Sequence, residues 1–140
     1  GTPRPREGVI DAPIGRSPRN RKKMAVVTGG RRAVTRYAVL RAAGLGASLV
    51  ECRLETGRTH QIRVHMSHIG HPILGDPVYG GTAARGRTGP AARLGRQALH
   101  AHRLKLRHPA TGETMNFESP LPSDIVALLE ALDALGAALT

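Results

Sequence analysis

The chain has 140 residues, 21 basic and 10 acidic, and a net charge of +11, a balance that favours a polyanionic partner. One cysteine, Cys52, excludes an internal disulfide framework and suits a reducing, cytoplasmic setting. No stretch approaches the roughly 18 uncharged apolar residues of a membrane helix, and the opening GTPRPREG is unlike a signal peptide.

Length fits one domain. With Tyr37, Tyr79 and Phe117 as its aromatics, the core must be built from Leu, Val, Ile and Ala. Residues 1–32 read as loops and short extended pieces, punctuated by Pro3, Pro5, Pro13 and Pro18 and turned at Gly29-Gly30. Charge is sorted along the chain: nine basic residues and no acid lie between Asp11 and Glu51, while 113–140 holds five acids and no base. Codon bias toward Arg would not sort charge in this way, so a basic face is expected. Within it, RNRKKM (19–24) is either a solvated loop or, through Arg21, Lys22 and Lys23, a contact to phosphate.

AVTRYAVL (33–40) is rich in β-branched and aromatic residues and predicts a strand. Gly44-Leu45-Gly46 turns the chain into ASLVECRLE, where Ser48, Val50, Cys52 and Leu54 alternate with Leu49, Glu51, Arg53 and Glu55. The pair predicts an antiparallel hairpin. Thr59 is placed to cap a helix from His60 to Ile69, ended by Gly70 and Pro72. Its Ile62, Met66 and Ile69 share a face with His65 at the edge, opposite His60, Arg63 and Ser67; Val64 falls on the polar side.

Residues 80–97, rich in Gly, Ala and Arg, predict a mobile loop. Alternation returns in 98–109, ATGE turns the chain, and TMNFESP predicts a short strand. Pro122-Ser123 then opens a helix over 123–138, with Ile125, Leu128, Leu129, Leu132 and Leu135 as its packing stripe.

Four histidines between 60 and 71 raise the possibility of a metal site. Metal ions want three or four ligands at fitting spacing, whereas His60 and His65 fall on different helix faces and only Asp76, beyond a turn, could join His65 and His68. Buried or interfacial hydrogen bonds suit His65 and His68 better, and no metal is expected. There is no G-x-S-x-G and no phosphate-cradling glycine loop. Three aromatics are too few for a reader that stacks RNA bases on a sheet.

The run LETGRTHQIRVHMSHIGHPILGDPVYG (54–80) resembles the signature of RluA/RluD-type pseudouridine synthases, which isomerise uridine in RNA. GVIDAPIGR (8–16), MAVVTGGRRAVTRYAVL (24–40), QALHAHRLKLRHPATGE (97–113) and PLPSD extend the resemblance over essentially the whole chain. The MAV…AVTRY stretch looks closer to the RluD-type branch, which modifies large-subunit ribosomal RNA. The resemblance implies an α+β fold, a mixed and mostly antiparallel sheet with both helices packed on it, and a sheet larger than this chain supplies.

By the same resemblance, Arg63 is similar to the basic residue that pairs with the catalytic aspartate, so its loss should remove activity and spare the fold. Arg58, Thr59, His60 and Gln61 look like contacts around a flipped nucleotide, and Leu99 like the apolar residue beside the target base. Gly75-Asp76-Pro77 and Tyr79-Gly80 look like a structural turn capped by Asp76. Neither the family's HRLDxxTSG aspartate motif nor its KxYxA tyrosine motif occurs in the 140 residues. The chain thus resembles the C-terminal half of a catalytic domain, inactive alone, of a monomeric, cofactor-free parent enzyme. The alternative is a non-catalytic, basic RNA-binding module.

Overall fold

The computed structural model describes residues 1–81 and 89–139. In chain order the elements are β1 (Glu7–Asp11), β2 (Ile14–Arg16), β3 (Met24–Val26), β4 (Val34–Ala43), β5 (Ala47–Leu54), α1 (Gln61–His68), α2 (Pro90–Leu94), β6 (Arg103–Arg107), β7 (Thr114–Glu118) and α3 (Ser123–Leu139). Among the described residues the strands form an α+β arrangement of three antiparallel sheets, ordered β1-β4-β5, β2-β3 and β6-β7. Residues 82–88, inside the stretch expected to be a mobile loop, lie outside the described residues.

The expected hairpin is β4–β5. Tyr37 stands opposite Cys52 and Val39 opposite Val50, and the register then slips between Val39 and Arg41. The slip is a bulge that leaves Leu40 unpaired and exposed. Alternation puts Ile10 of β1, Tyr37 of β4, and Val50 and Cys52 of β5 on the inner face, packed with Ile62, Met66 and Ile69 of the helical segment. A second cluster joins Ile14, Ala33 and Val64 to Met24 and Tyr79. Each large aliphatic side chain buried this way contributes about 1.5–3 kcal/mol.

The helix α1 differs from the sequence expectation in two respects. Thr59 does not cap it: the N-cap is His60, in the left-handed region at φ 56°, with no side-chain cap hydrogen bond. The side chain of Gln61 instead ties down the preceding turn, its Oε1 accepting the Arg58 backbone N–H at 2.9 Å and the Thr56 hydroxyl at 2.7 Å. Second, Val64 is buried rather than stranded on a polar face, and His65 is fully buried rather than marginal. The reason is that α1 is covered on two sides, by the β1-β4-β5 sheet through Met66 and by Ile14 and Ala33 through Val64. A one-stripe helix reading assumes one covered side.

The alternation expected over 98–109 yields a strand only at Arg103–Arg107. Its partner β7 sets Leu104 opposite Phe117 and Leu106 opposite Met115, so these four share one face of the hairpin. Leu104, Leu106 and Phe117 are exposed there. The 80–97 stretch, where only loop was expected, contains α2, a five-residue helix opened by Pro90.

Helix α3 packs through Ile125 and Leu128, but Leu135, counted in its stripe, is 50% exposed. Gly136 is buried there instead. A Cβ on Gly136 would stand 2.8 Å from the Gly44 Cα, so helix and turn meet backbone to backbone. Asp133 fastens the contact, accepting both Arg41 guanidinium nitrogens at 3.1 Å and the Gly44 N–H at 3.2 Å.

In an open helix position Gly→Ala stabilises by about 1 kcal/mol. Here the sign should reverse, and Gly136→Ala should lower stability by about 1–3 kcal/mol through overpacking. Urea unfolding checks this; an unchanged or higher midpoint would show that the α3–Gly44 approach is not tight.

Candidate functional site

The site is built on the start of α1 and the turn at 76–79. Arg63 donates from Nε to Asp76 Oδ2 at 2.9 Å and from Nη2 to Oδ1 at 2.8 Å. The side chains of Arg63 and Asp76 are 11% and 0% exposed. Asp76 Oδ1 also accepts the backbone N–H groups of Val78 at 2.9 Å and Tyr79 at 3.0 Å, the side-chain-closed turn that an Asp in GDPVYG favours.

Burial pushes the Asp76 carboxyl up. The Arg63 guanidinium and the two backbone N–H groups outweigh it and hold the group below the usual carboxylate range. The hydrogen bond to Asp76 drives Arg63 still higher against its own desolvation. Both charges are therefore present at neutral pH.

The turn that receives Arg63 also receives the rest of the site. The Tyr79 ring lies 5.0 Å from the Arg63 guanidinium carbon, a cation–π geometry. Its hydroxyl accepts the Met24 N–H at 3.1 Å and meets His60 Nδ1 at 2.8 Å. Lys23 Nζ donates to the Val78 carbonyl at 3.1 Å. The basic loop ahead of β3 is thus tied to the start of α1 through residues 78 and 79. Loop 17–23 is itself ordered by Ser17 Oγ, which accepts the Arg19 and Asn20 N–H groups, and by Asn20 Oδ1, which accepts that of Lys22. Arg21 and Lys22 remain exposed.

Beneath this face runs a closed chain of polar contacts. Gln61 Nε2 donates to the Val34 carbonyl and to Thr35 Oγ1, both at 3.0 Å. Thr35 Oγ1 lies 2.7 Å from His65 Nδ1, and His65 Nε2 lies 2.9 Å from the Ala12 carbonyl. A carbonyl only accepts, so Nε2 carries the ring proton and Nδ1 takes the Thr35 hydroxyl hydrogen. Burial pushes the His65 pKa below its ordinary 6.5, and the ring is neutral.

The structure therefore brings His60, Gln61 and Arg63 together around α1 and joins Lys23 to them. Arg58 stays beside them, its Nε donating to the Arg32 carbonyl at 2.7 Å; Thr59 is exposed. Leu99 lies apart, lining an apolar groove of about 370 Å³ with Ile62, Met66, Leu129 and Leu132. Neither His60 nor Arg63 lines that groove.

Sequence reasoning missed Tyr79 and Thr35 as site partners and found Asp76 only as a cap. The signal for Asp76 was the turn; nothing in the spacing named Arg63 as its ion partner. One implied property is corrected by packing. Removing Arg63 would orphan a fully buried carboxylate, so the fold should not survive Arg63→Ala intact.

Two outcomes follow. Asp76→Ala leaves a nearly buried guanidinium unpaired and should cost about 3–5 kcal/mol in urea unfolding; a loss below about 1 kcal/mol would contradict the burial. For His65 the folded-state pKa is depressed, so its contribution is complete above pH 6.5 and is lost as pH falls below it through the folded value. The decline in stability from pH 6.5 to 5 should be shallower in His65→Gln, which can still bridge Thr35 and Ala12. Equal slopes would rule out His65 as a source.

Residues 2–68 match the family model described as RNA pseudouridylate synthase. Ribosomal large subunit pseudouridine synthase D of Nitrosomonas europaea is 55% identical over 128 residues, covering 91% of this chain and 37% of the relative. The protein of that name from Pseudomonas aeruginosa is 54% identical over 134 residues, covering 89% and 41%. Among solved structures, human RNA Pseudouridylate Synthase Domain Containing 1 superposes with a TM-score of 0.73 at 32% identity, covering 99% of this chain and 61% of that one. The chain spans about two-fifths of the length of these two bacterial relatives. The segments that shape the basic loop and α1 thus lie within the residues matched by the RNA pseudouridylate synthase model, and 91% of the chain aligns with a ribosomal large subunit pseudouridine synthase D.

Proposed function

We propose that this chain forms the C-terminal part of a catalytic domain that converts uridine to pseudouridine in RNA, with large-subunit ribosomal RNA as the substrate. The observation that carries the reading is the joining of an exposed basic loop to His60 and Arg63 through one turn. Arg21 and Lys22 bind phosphate by displacing counterions. That binding offsets the cost of turning the target uridine out of its stack, about a few kcal/mol.

The reaction breaks the C1′–N1 glycosidic bond, turns the uracil, and forms C1′–C5; the C5 proton leaves to solvent and N1 takes one up. No redox change occurs, and no cofactor is called for. The carboxylate that drives it belongs to an HRLD-type segment. Asp76 is unsuited to that role, because both of its oxygens are engaged and it is fully buried.

Arg63 holds the reacting carboxylate with the donors that Asp76 leaves over. A guanidinium carries five N–H groups, and Asp76 uses two. Asp76 also offsets much of its field, so Arg63 acts through directed hydrogen bonds more than through net charge. Arg58, Thr59 and His60 frame the flipped nucleotide; the buried Gln61 holds the Arg58 backbone from beneath, and Leu99 stays in the separate apolar groove. The setting is cytoplasmic and the parent enzyme monomeric.

Release of tritium from RNA containing [5-³H]uridine tests this in the protein that carries the HRLD-type segment. Arg63→Lys keeps the charge and loses the planar fork, so release should fall at least about 100-fold, equivalent to about 2.7 kcal/mol. Thermal unfolding must show a folded variant; a folded variant with near-normal release would remove Arg63 from the chemistry. The 140 residues alone should release no tritium, and turnover by them would overturn the placing of the nucleophile. RNA binding without tritium release by the HRLD-bearing protein would favour the non-catalytic RNA-binding module.

A further inference from the structure

Tyr79 has no role in the chemistry outlined so far, yet its hydroxyl is saturated in a directional way. Its oxygen accepts the Met24 N–H at 3.1 Å. Among the described residues, the one acceptor within reach of its hydrogen is His60 Nδ1, at 2.8 Å. If Nδ1 carried the imidazole proton, two hydrogens would compete for the oxygen and the hydroxyl hydrogen would have no protein acceptor. The arrangement is satisfied when Tyr79 donates to Nδ1 and the proton of His60 sits on Nε2.

His60 is otherwise placed as a functional side chain. It is exposed, and its ring meets Tyr79 edge-on, at 5.5 Å and 69°. Among the described residues it is the one non-glycine residue with positive φ, at 56°, a conformation held at a local cost in strain. Its Nε2 has no hydrogen-bond partner among the described residues, and the turn that fixes its ring also holds Lys23 and Arg63.

We propose that Tyr79 is a positioning residue whose hydroxyl locks His60 as the Nε2–H tautomer, making His60 a one-way donor to a phosphate oxygen of the bound RNA. This rests on the RNA-binding reading above, but the tautomer can be read without RNA.

Long-range ¹H–¹⁵N correlation spectra of the chain's imidazoles should show His60 with a protonated Nε2 and a bare Nδ1. The opposite tautomer would overturn the proposal without any variant being made. Tyr79→Phe keeps the ring against Arg63 and removes only the hydroxyl; it should move the His60 nitrogen shifts toward the averaged pattern of a free imidazole. Unmoved shifts in the folded variant would also overturn it.

Fluorescence anisotropy with an RNA oligonucleotide bearing unpaired uridines reads the second part. Tyr79→Phe and His60→Ala should each weaken binding about 3- to 10-fold, and the double variant should be no weaker than His60→Ala. Loss of affinity in His60→Ala with none in Tyr79→Phe overturns the positioning role and leaves the RNA reading intact. If Arg21→Ala and Lys22→Ala also leave affinity unchanged, the RNA reading fails and takes the phosphate role with it.

Discussion

A helix buried through polar side chains holds its place only if every one of those side chains finds a partner. Helix α1 is of this kind. Gln61, Arg63 and His65 enter the interior with Val64 and Met66, and an unpaired amide or guanidinium there would cost more than the aliphatic contacts return. The partners come from four separate parts of the chain: Ala12 after β1, Val34 and Thr35 at the start of β4, Thr56 after β5, and Asp76 beyond the helix. Satisfying α1 therefore fixes the relative positions of the β1-β4-β5 sheet, the segments that flank it at residues 12 and 56, and the 76–79 turn.

The same requirement shapes the site. Because Asp76 neutralises Arg63 and closes its own turn, the guanidinium is held by structure before any substrate arrives. In the proposed role, little conformational entropy would then be left to lose when a second carboxylate bound its free edge. Tyr79 and Lys23 extend the hold to His60 and to the basic loop. A residue with a structural partner and a chemical one cannot be removed to report on the second alone. For this reason a lysine, which keeps the charge, separates the two roles better than an alanine.

The β4–β5 hairpin is legible in the sequence: β-branched and aromatic residues mark β4, period-two alternation marks β5, and the glycines at 44 and 46 mark the turn between them. The charge segregation that marked the basic loop was equally plain. Val64 was misread because hydrophobic periodicity assumes one covered face, and α1 has two. Thr59 was misread as a cap because the reading was local. The helix starts one residue later than expected, after His60 in the left-handed region, so Thr59 lies outside the cap position. Leu135 was counted in the core of α3, yet the backbone approach of Gly136 to Gly44 turns that last stretch outward.

By itself the sequence determined the α+β class, the basic character and, through the HQIR and GDPVYG runs, the similarity to RNA pseudouridine synthases. These are carried by residue type and spacing along the chain. Only the tertiary structure decided what Arg63 touches, that His65 is neutral and fully enclosed, and that Tyr79 joins His60 to the basic loop. Those facts depend on which groups meet across 13 to 55 residues of chain. A hydrogen bond is settled by distance and direction in space, and neither is written in spacing.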